Sequence, residues 1–132
     1  MTDENFDLSK FDTLEEDSER GADCEILHPV TEEKLDMVIT LVGSESKTFK
    51  KASRAAQQKH VKKGKRRITI DEMEEDGIVI LARCTMGWRG VVIEGKQIEC
   101  NFENAKMLYT RFPFIKKQVD VFVGDLENFT KS

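Results

Sequence analysis

The sequence has few of the residues from which catalytic and metal sites are commonly built. Its 132 residues include two histidines, three cysteines, two prolines and one tryptophan. No Cys-x-x-Cys pair occurs, so the spacing does not predict a zinc site. We interpret Cys24, Cys84 and Cys100 as small buried hydrophobic residues of a protein in a reducing compartment. His28, in a turn before a proline, and His60, in a basic helix, lie in no recognisable catalytic signature.

Long apolar runs, a secretory signal and phosphate-binding loops are also missing. The longest apolar stretches, near 78–82 and 119–123, are far shorter than the roughly 20 residues of a membrane span. The N-terminus is acidic where a signal peptide would be basic, so we expect a cytosolic protein. Residues 87–90 are bracketed by glycines without nucleotide-binding spacing, and we expect a turn there. In that turn, Trp88 either packs on the core or anchors a partner.

Charge is abundant and is arranged in blocks. The net charge is −4 and 35% of the residues are charged, which favours neither nucleic acid nor an anionic membrane as a partner. Residues 1–20 hold eight acids and two basic residues, and predict an acidic, disordered arm before a single domain over 21–132. Segment 47–67 holds ten basic residues and no acid, and five acids follow within 71–76. Three interpretations of segment 47–67 are open: it contacts acidic protein surfaces, it binds nucleic acid, or it is a solvated face. We favour protein contact.

The apolar pattern predicts an α+β fold that is mainly helical, with two short β-hairpins and about four helices. The first hairpin is expected from strands at 22–28 and 36–43, and the second lies around Gly95. The four helices are expected over 47–63, 71–86, 103–111 and 113–123. Ser44 or Ser46 is expected to cap the first helix, while Thr69 and Glu72 have the form of a capping box for the second.

The helix over 71–86 is predicted to be the central core helix. Its apolar face comprises Ile70, Met73, Gly77, Ile80, Leu81 and Cys84. The acids in its first turns match the helix dipole and do not indicate paired catalytic carboxylates. The helix over 47–63 has only a thin apolar face and is otherwise basic, so we expect it to dock loosely, to fray, or to pack on something outside the chain.

Several short motifs resemble small proteins encoded in the tail-gene region of long-tailed bacteriophages and prophages. They are FDLS (6–9), GADCEILHPVT (21–31), ITLVGSES (39–46), CTMGW (84–88), FENA (102–105), QVD (118–120) and GDLENF (124–129), together with the hairpin at Gly95. The likeness extends over 6–129. The chain resembles the lambda-type tail assembly chaperones or a neighbouring tail-region family.

The resemblance implies a non-enzymatic assembly factor without a cofactor. Proteins of that kind bind the tape-measure protein, promote tail-tube assembly and tend to self-associate, and the major tail protein is a second candidate partner. The resemblance also implies a location in the cytoplasm of the bacterial host and absence from the mature virion. Two alternatives stay open: a structural tail or tail-completion protein of the virion, and a nucleic-acid-binding module that uses 47–67.

The candidate partner-binding residues combine part of the basic helix with four aromatic residues that we expect to be exposed. They are Phe49, Lys50, Lys51, Arg54, Trp88, Tyr109, Phe112 and Phe129. A contact of this kind would place apolar anchors of a partner helix at helical spacing.

Overall fold

The computed structural model describes residues 5–64 and 67–130. The helices are α1 (Leu14–Arg20), α2 (Lys47–Lys62), α3 (Ile70–Cys84), α4 (Phe102–Arg111) and α5 (Pro113–Gly124). The strands are β1 (Ala22–Leu27), β2 (Lys34–Leu41), β3 (Thr85–Arg89), β4 (Val92–Ile93) and β5 (Lys96–Gln97). The fold is α+β and mainly helical, as predicted, but the described part contains five α-helices where about four were expected.

Strands β1, β2 and β3 form an antiparallel sheet in that order. The side chains of β1 alternate, so Cys24 and Ile26 are buried while Asp23 and Glu25 face outward. Polar contacts hold the outer face, where the Thr40 hydroxyl donates to Asp23 Oδ1 at 2.6 Å. One apolar and one solvated face is the usual pattern of an antiparallel sheet covered on one side.

The turn predicted over 87–90 is wrong, because this segment belongs largely to strand β3. Helix α3 ends at Cys84, and the chain passes directly into β3, in which Trp88 pairs with Ile39 and Gly87 with Thr40 of β2. This pairing joins residues almost 50 positions apart, so local periodicity does not reveal it. The contacts with β2 override the preference of Gly87 for a turn. The predicted hairpin at Gly95 is present in a shorter form as β4 and β5.

Helices α3, α4 and α5 supply most of the hydrophobic core beneath the sheet. Their buried residues are Leu81, Ala82, Cys84, Ala105, Leu108, Tyr109, Ile115, Val119 and Val123. Burying a side chain as large as leucine contributes about 1.5–3 kcal/mol. The Gln118 amide fixes α5 on β1, because it accepts from the Leu27 N–H at 2.8 Å and donates to the Leu27 carbonyl at 2.9 Å.

The predicted helix starts agree with the caps in the structure. Ser46, one of the two predicted caps, accepts the Phe49 N–H at 3.0 Å and so begins α2. The Thr69 and Glu72 capping box is present at the start of α3. Each cap satisfies backbone donors that have no partner within the helix and contributes about 0.5–2 kcal/mol.

The predicted disordered arm is wrong for residues 14–20, which form helix α1. The acids in its first turn interact favourably with the positive end of the helix dipole. Ser18 of this helix is buried. Residues 1–4 of the predicted arm, Lys65 and Arg66 of the basic segment and residues 131–132 lie outside the described residues.

Candidate interaction surface

The outward face of α2 carries a row of basic side chains, which we call the basic stripe. It consists of Lys47, Lys51, Arg54 and Lys62, whose spacing places them along one side of the helix over about four turns. All four are exposed. Within the described residues, Lys51, Arg54 and Lys62 form no ion pair. The opposite side of α2 packs inward through Phe49, which contacts the core.

Acidic residues of α1 contact the first turn of α2. Glu15 lies 3.5 Å from Lys50 Nζ and 4.0 Å from Lys47 Nζ. The Glu19 carboxylate accepts the Thr48 hydroxyl at 2.6 Å and the Thr48 N–H at 3.1 Å. The hydroxyl hydrogen bond is the largest cause that lowers the pKa of Glu19. The acids of α1 therefore meet the basic segment at the beginning of the basic stripe.

A buried histidine joins α2 to α3. His60 is 4% exposed, and its Nε2 donates to Asp76 Oδ2 at 2.6 Å, while Lys59 Nζ donates to Asp76 Oδ1 at 3.0 Å. Burial raises the pKa of Asp76, but the hydrogen bonds from His60 and Lys59 outweigh this effect and hold that pKa below its ordinary value. His60 Nδ1 is buried without a hydrogen-bond partner among the described residues, and Glu72 Oε2 lies 3.9 Å from it.

Two of the four aromatic residues that were expected to be exposed are buried, so this part of the predicted surface is wrong. Tyr109 lies in the core, with its hydroxyl 2.7 Å from the Thr85 hydroxyl, and burial raises the pKa of Tyr109. Phe129 is buried because a 3-10 turn at Leu126–Asn128 folds it back edge-on to Phe122. Tyr109 is 1% exposed and Phe129 is 5% exposed, so neither ring offers a partner more than a small contact area while the chain is folded.

Most of the other predicted residues are only partly accessible. The half-buried ones are Phe49, Lys50, Trp88 and Phe112. The Trp88 indole N–H donates to the Ile98 carbonyl at 2.8 Å, so this side chain connects β3 to the segment after β5. Lys51 and Arg54 are the predicted residues that are exposed, and both belong to the basic stripe.

The cysteines do not form a reactive site. Cys100 is only partly buried, so the prediction that all three cysteines are buried is wrong for this residue. Cys24 and Cys84 are buried, as predicted, and burial raises the pKa of Cys24 to about 11 and that of Cys84 to about 12. Both are therefore protonated thiols near neutral pH and are not activated nucleophiles. Over 5–64 and 67–130, no group of three or more His, Cys, Asp or Glu side chains is placed to hold a metal ion. No helix in the same ranges is long and apolar enough to cross a membrane.

Sequence reasoning missed an exposed apolar surface at the start of α3. The predicted core face of this helix is buried at Leu81 and Cys84, but Ile70 and Met73 are 71% and 55% exposed. The helix begins about three turns before its first buried residue, Leu81. The run of acids within 71–76 is the signal that could have indicated this, because so many charges require that the first turns stay in water.

No protein-family model, curated protein or solved structure matches the chain. The basic stripe of α2 is suited to an acidic partner, and the start of α3 is suited to an apolar one.

Proposed function

We propose that this protein is a non-enzymatic tail assembly chaperone of the long-tailed phage type. It binds the tape-measure protein and promotes assembly of the tail tube in the cytoplasm of the bacterial host, and it leaves before the virion matures. The observation that carries the proposal is the basic stripe, because three of its four side chains face solvent without an ion-pair partner in the described residues. The resemblance of its sequence motifs to tail-region proteins supports the same function.

The length of the basic stripe and its positive charge indicate the kind of client that can bind to it. From Lys47 to Lys62 the helix rises about 22 Å, at 1.5 Å per residue. An amphipathic client helix with acidic side chains along four turns matches this surface. Exposed ion pairs contribute only about 0–1 kcal/mol each. The charges therefore select and orient the client, while apolar contacts supply most of the affinity.

A nucleic-acid-binding module is the second candidate, because a basic row can also follow a phosphate backbone. The acids of α1 weaken the match between the basic stripe and a phosphate backbone at the start of α2, since Glu15 lies against Lys47 and Lys50. A phosphate backbone there would meet a carboxylate of like charge. An acidic protein, in contrast, can confine its charges to the remaining part of the stripe.

Co-purification with a tape-measure fragment tests the proposal. In the double variant Lys51→Glu/Arg54→Glu, the centre of the basic stripe changes sign. The matched control, Lys96→Glu/Lys117→Glu, changes the net charge equally at two exposed lysines elsewhere. We expect the first variant to lose the client and the control to retain it.

Three results would overturn the proposal or its surface. Equal client binding by both variants would show that the basic stripe does not contact the client. Tight, steeply salt-dependent binding to DNA or RNA without client binding favours the nucleic-acid module. Recovery of the chain in stoichiometric amounts from purified particles, by mass spectrometry, indicates a structural protein of the virion instead of a chaperone.

A further inference from the structure

An open groove lies between α2 and α3, beside the basic stripe. Its wider part has a volume of about 430 Å³ and is lined by Thr48, Lys51, Ala52, Ala55 and Arg83. Its narrower part, of about 180 Å³, shares three of these residues and is lined further along by Ala56, Lys59, Asp76 and Val79. We call the two parts together the α2–α3 groove. From Thr48 to Lys59 it follows about three turns of α2, a rise of about 16 Å.

The α2 side of the groove has the residue spacing of a helix-packing surface. Four of its residues are spaced by four, three and four positions: Thr48, Ala52, Ala55 and Lys59. This spacing places them on one side of the helix. Ala52 is half-buried and Ala55 is exposed, so the described fold covers this side only in part. Because the alanine side chains are small, another helix can approach α2 closely here.

The wider part of the groove carries positive charge on both sides. Lys51 belongs to α2 and Arg83 to α3, both are exposed, and neither forms an ion pair within the described residues. The Arg83 guanidinium lies 3.9 Å from the centre of the Phe102 ring, and this contact holds it beside the groove. In the narrower part, Lys59 is already paired with Asp76 at 3.0 Å. The charge available to a partner is therefore concentrated between Lys51 and Arg83.

We infer that the α2–α3 groove binds an acidic helix of the client, with a carboxylate between Lys51 and Arg83. Small side chains three or four positions along the client helix then pack against Ala55. The Thr48 hydroxyl does not contribute, since it already donates to Glu19 at 2.6 Å. A phosphate backbone could pair with the two cations, but it has no apolar side chains to pack against the alanines.

The inference rests on the proposed function and deepens it. Lys51 belongs both to the basic stripe and to the groove, so the two surfaces are continuous. The groove extends the client contact from α2 to α3 and adds Arg83 as a residue that determines specificity. It also states what the client helix must carry, which is an acidic residue with small neighbours at helical spacing.

Filling the groove tests whether the client lies in it. Ala55→Trp places a large side chain in the groove at an exposed position, so the fold should remain intact. We expect its affinity for the tape-measure fragment to fall about tenfold or more, because the client helix can no longer approach α2. Gln57→Trp is the matched control, since Gln57 is exposed and lies on nearly the opposite side of α2. It should bind as the wild type does, and circular dichroism checks that both variants are folded.

Neutralising Arg83 tests the contribution of α3. Arg83→Gln should weaken binding of the fragment about three- to fivefold, as expected for the loss of one partly exposed ion pair. The difference from the wild type should disappear at about 1 M salt, where charges are screened within about 3 Å. Arg89→Gln makes the same change at an exposed arginine of β3 outside the groove and should have no effect on binding.

Alanine methyl NMR shows directly where the fragment binds. The Ala52 and Ala55 signals should shift when the fragment is added, whereas that of Ala105, which is buried in α4, should not. Unchanged Ala52 and Ala55 signals with bound fragment would overturn the inference. Shifts of these two signals on raising the protein concentration without the fragment would identify a second copy as the occupant, and would also overturn it.

A synthetic alanine-rich helix with glutamate at every fourth position is a probe that does not depend on the client. It should shift the same two methyl signals. If the probe shifts them and the fragment does not bind, the groove is a site for acidic helices and the proposed client is wrong. If the fragment binds equally to the wild type, Ala55→Trp and Arg83→Gln, the inference is overturned and the proposed function stands. Failure of both ligands to bind would overturn both.

Discussion

Replacing Asp76 by alanine tests how α2 is held on the fold. Helix α2 has one buried residue, His60, and that side chain donates to Asp76 Oδ2 at 2.6 Å. Asp76→Ala leaves the buried imidazole without its acceptor and also releases Lys59. Losing a hydrogen bond between a buried group and a charged one costs about 1.5–3 kcal/mol. The half-exposed Lys59 pair adds about 0.2–1 kcal/mol.

The expected loss is therefore about 2–4 kcal/mol in the free energy of unfolding. For a chain of this length, about 4 °C per kcal/mol predicts a fall in melting temperature of about 8–16 °C. Hydrogen exchange should accelerate in α2 more than in α5, because α5 is anchored by Ile115, Val119 and Val123. Thermal unfolding by circular dichroism and exchange measured by mass spectrometry give the two readouts.

Glu75→Ala is the control, since Glu75 is an exposed neighbouring acid without an ion pair in the described residues. It should stay within about 0.5 kcal/mol of the wild type. A double-mutant cycle with His60→Ala should give a coupling energy of about 0.5–3 kcal/mol between His60 and Asp76. A melting temperature of Asp76→Ala equal to that of Glu75→Ala, or a coupling energy of zero, would refute the reasoning.

Three further predictions use the same unfolding assay. Folding lowers the pKa of Asp76 from 3.8, so the contribution of the Asp76 carboxylate to the free energy of unfolding is complete above that pH and is lost as the pH falls through the pKa of the folded protein. The free energy of unfolding should therefore fall less on acidification in Asp76→Asn than in the wild type. Gly90→Ala should destabilise the fold by about 1–3 kcal/mol, since Gly90 has a positive φ of 79° and its added Cβ would overlap the Asp36 carbonyl; Gly95→Ala, with a similar φ and open space, should cost less. Tyr109→Phe should cost about 1 kcal/mol through loss of the buried hydroxyl contact, and an unchanged melting temperature would contradict that role.

The sequence predicts those elements whose signals are local. The cap at Ser46, the capping box at Thr69 and the alternation in β1 each depend on residues within a few positions of one another. These features predict the first hairpin and the starts of α2 and α3 to within a residue or two. The fold class follows from the same patterns.

The parts that sequence reasoning missed depend on distant contacts. Strand β3 exists because Trp88 and Gly87 pair with β2, and α1 is held by the bond from Thr48 to Glu19. Burial of Phe129 likewise depends on a turn that returns it to Phe122. The residue types of the candidate surface could be predicted, but not which of its members are exposed, since exposure is decided by packing between elements far apart in the chain.

The affinity of the purified protein for a tape-measure fragment is the most direct test of the central claim that the basic stripe binds a protein client. Reversing Lys51 and Arg54 replaces two weak attractions by two repulsions, so we predict a loss of about tenfold or more, equivalent to about 1.4 kcal/mol. The Lys96→Glu/Lys117→Glu control should bind as the wild type does. Equal affinities for all three proteins, or no binding by the wild type, would contradict the claim.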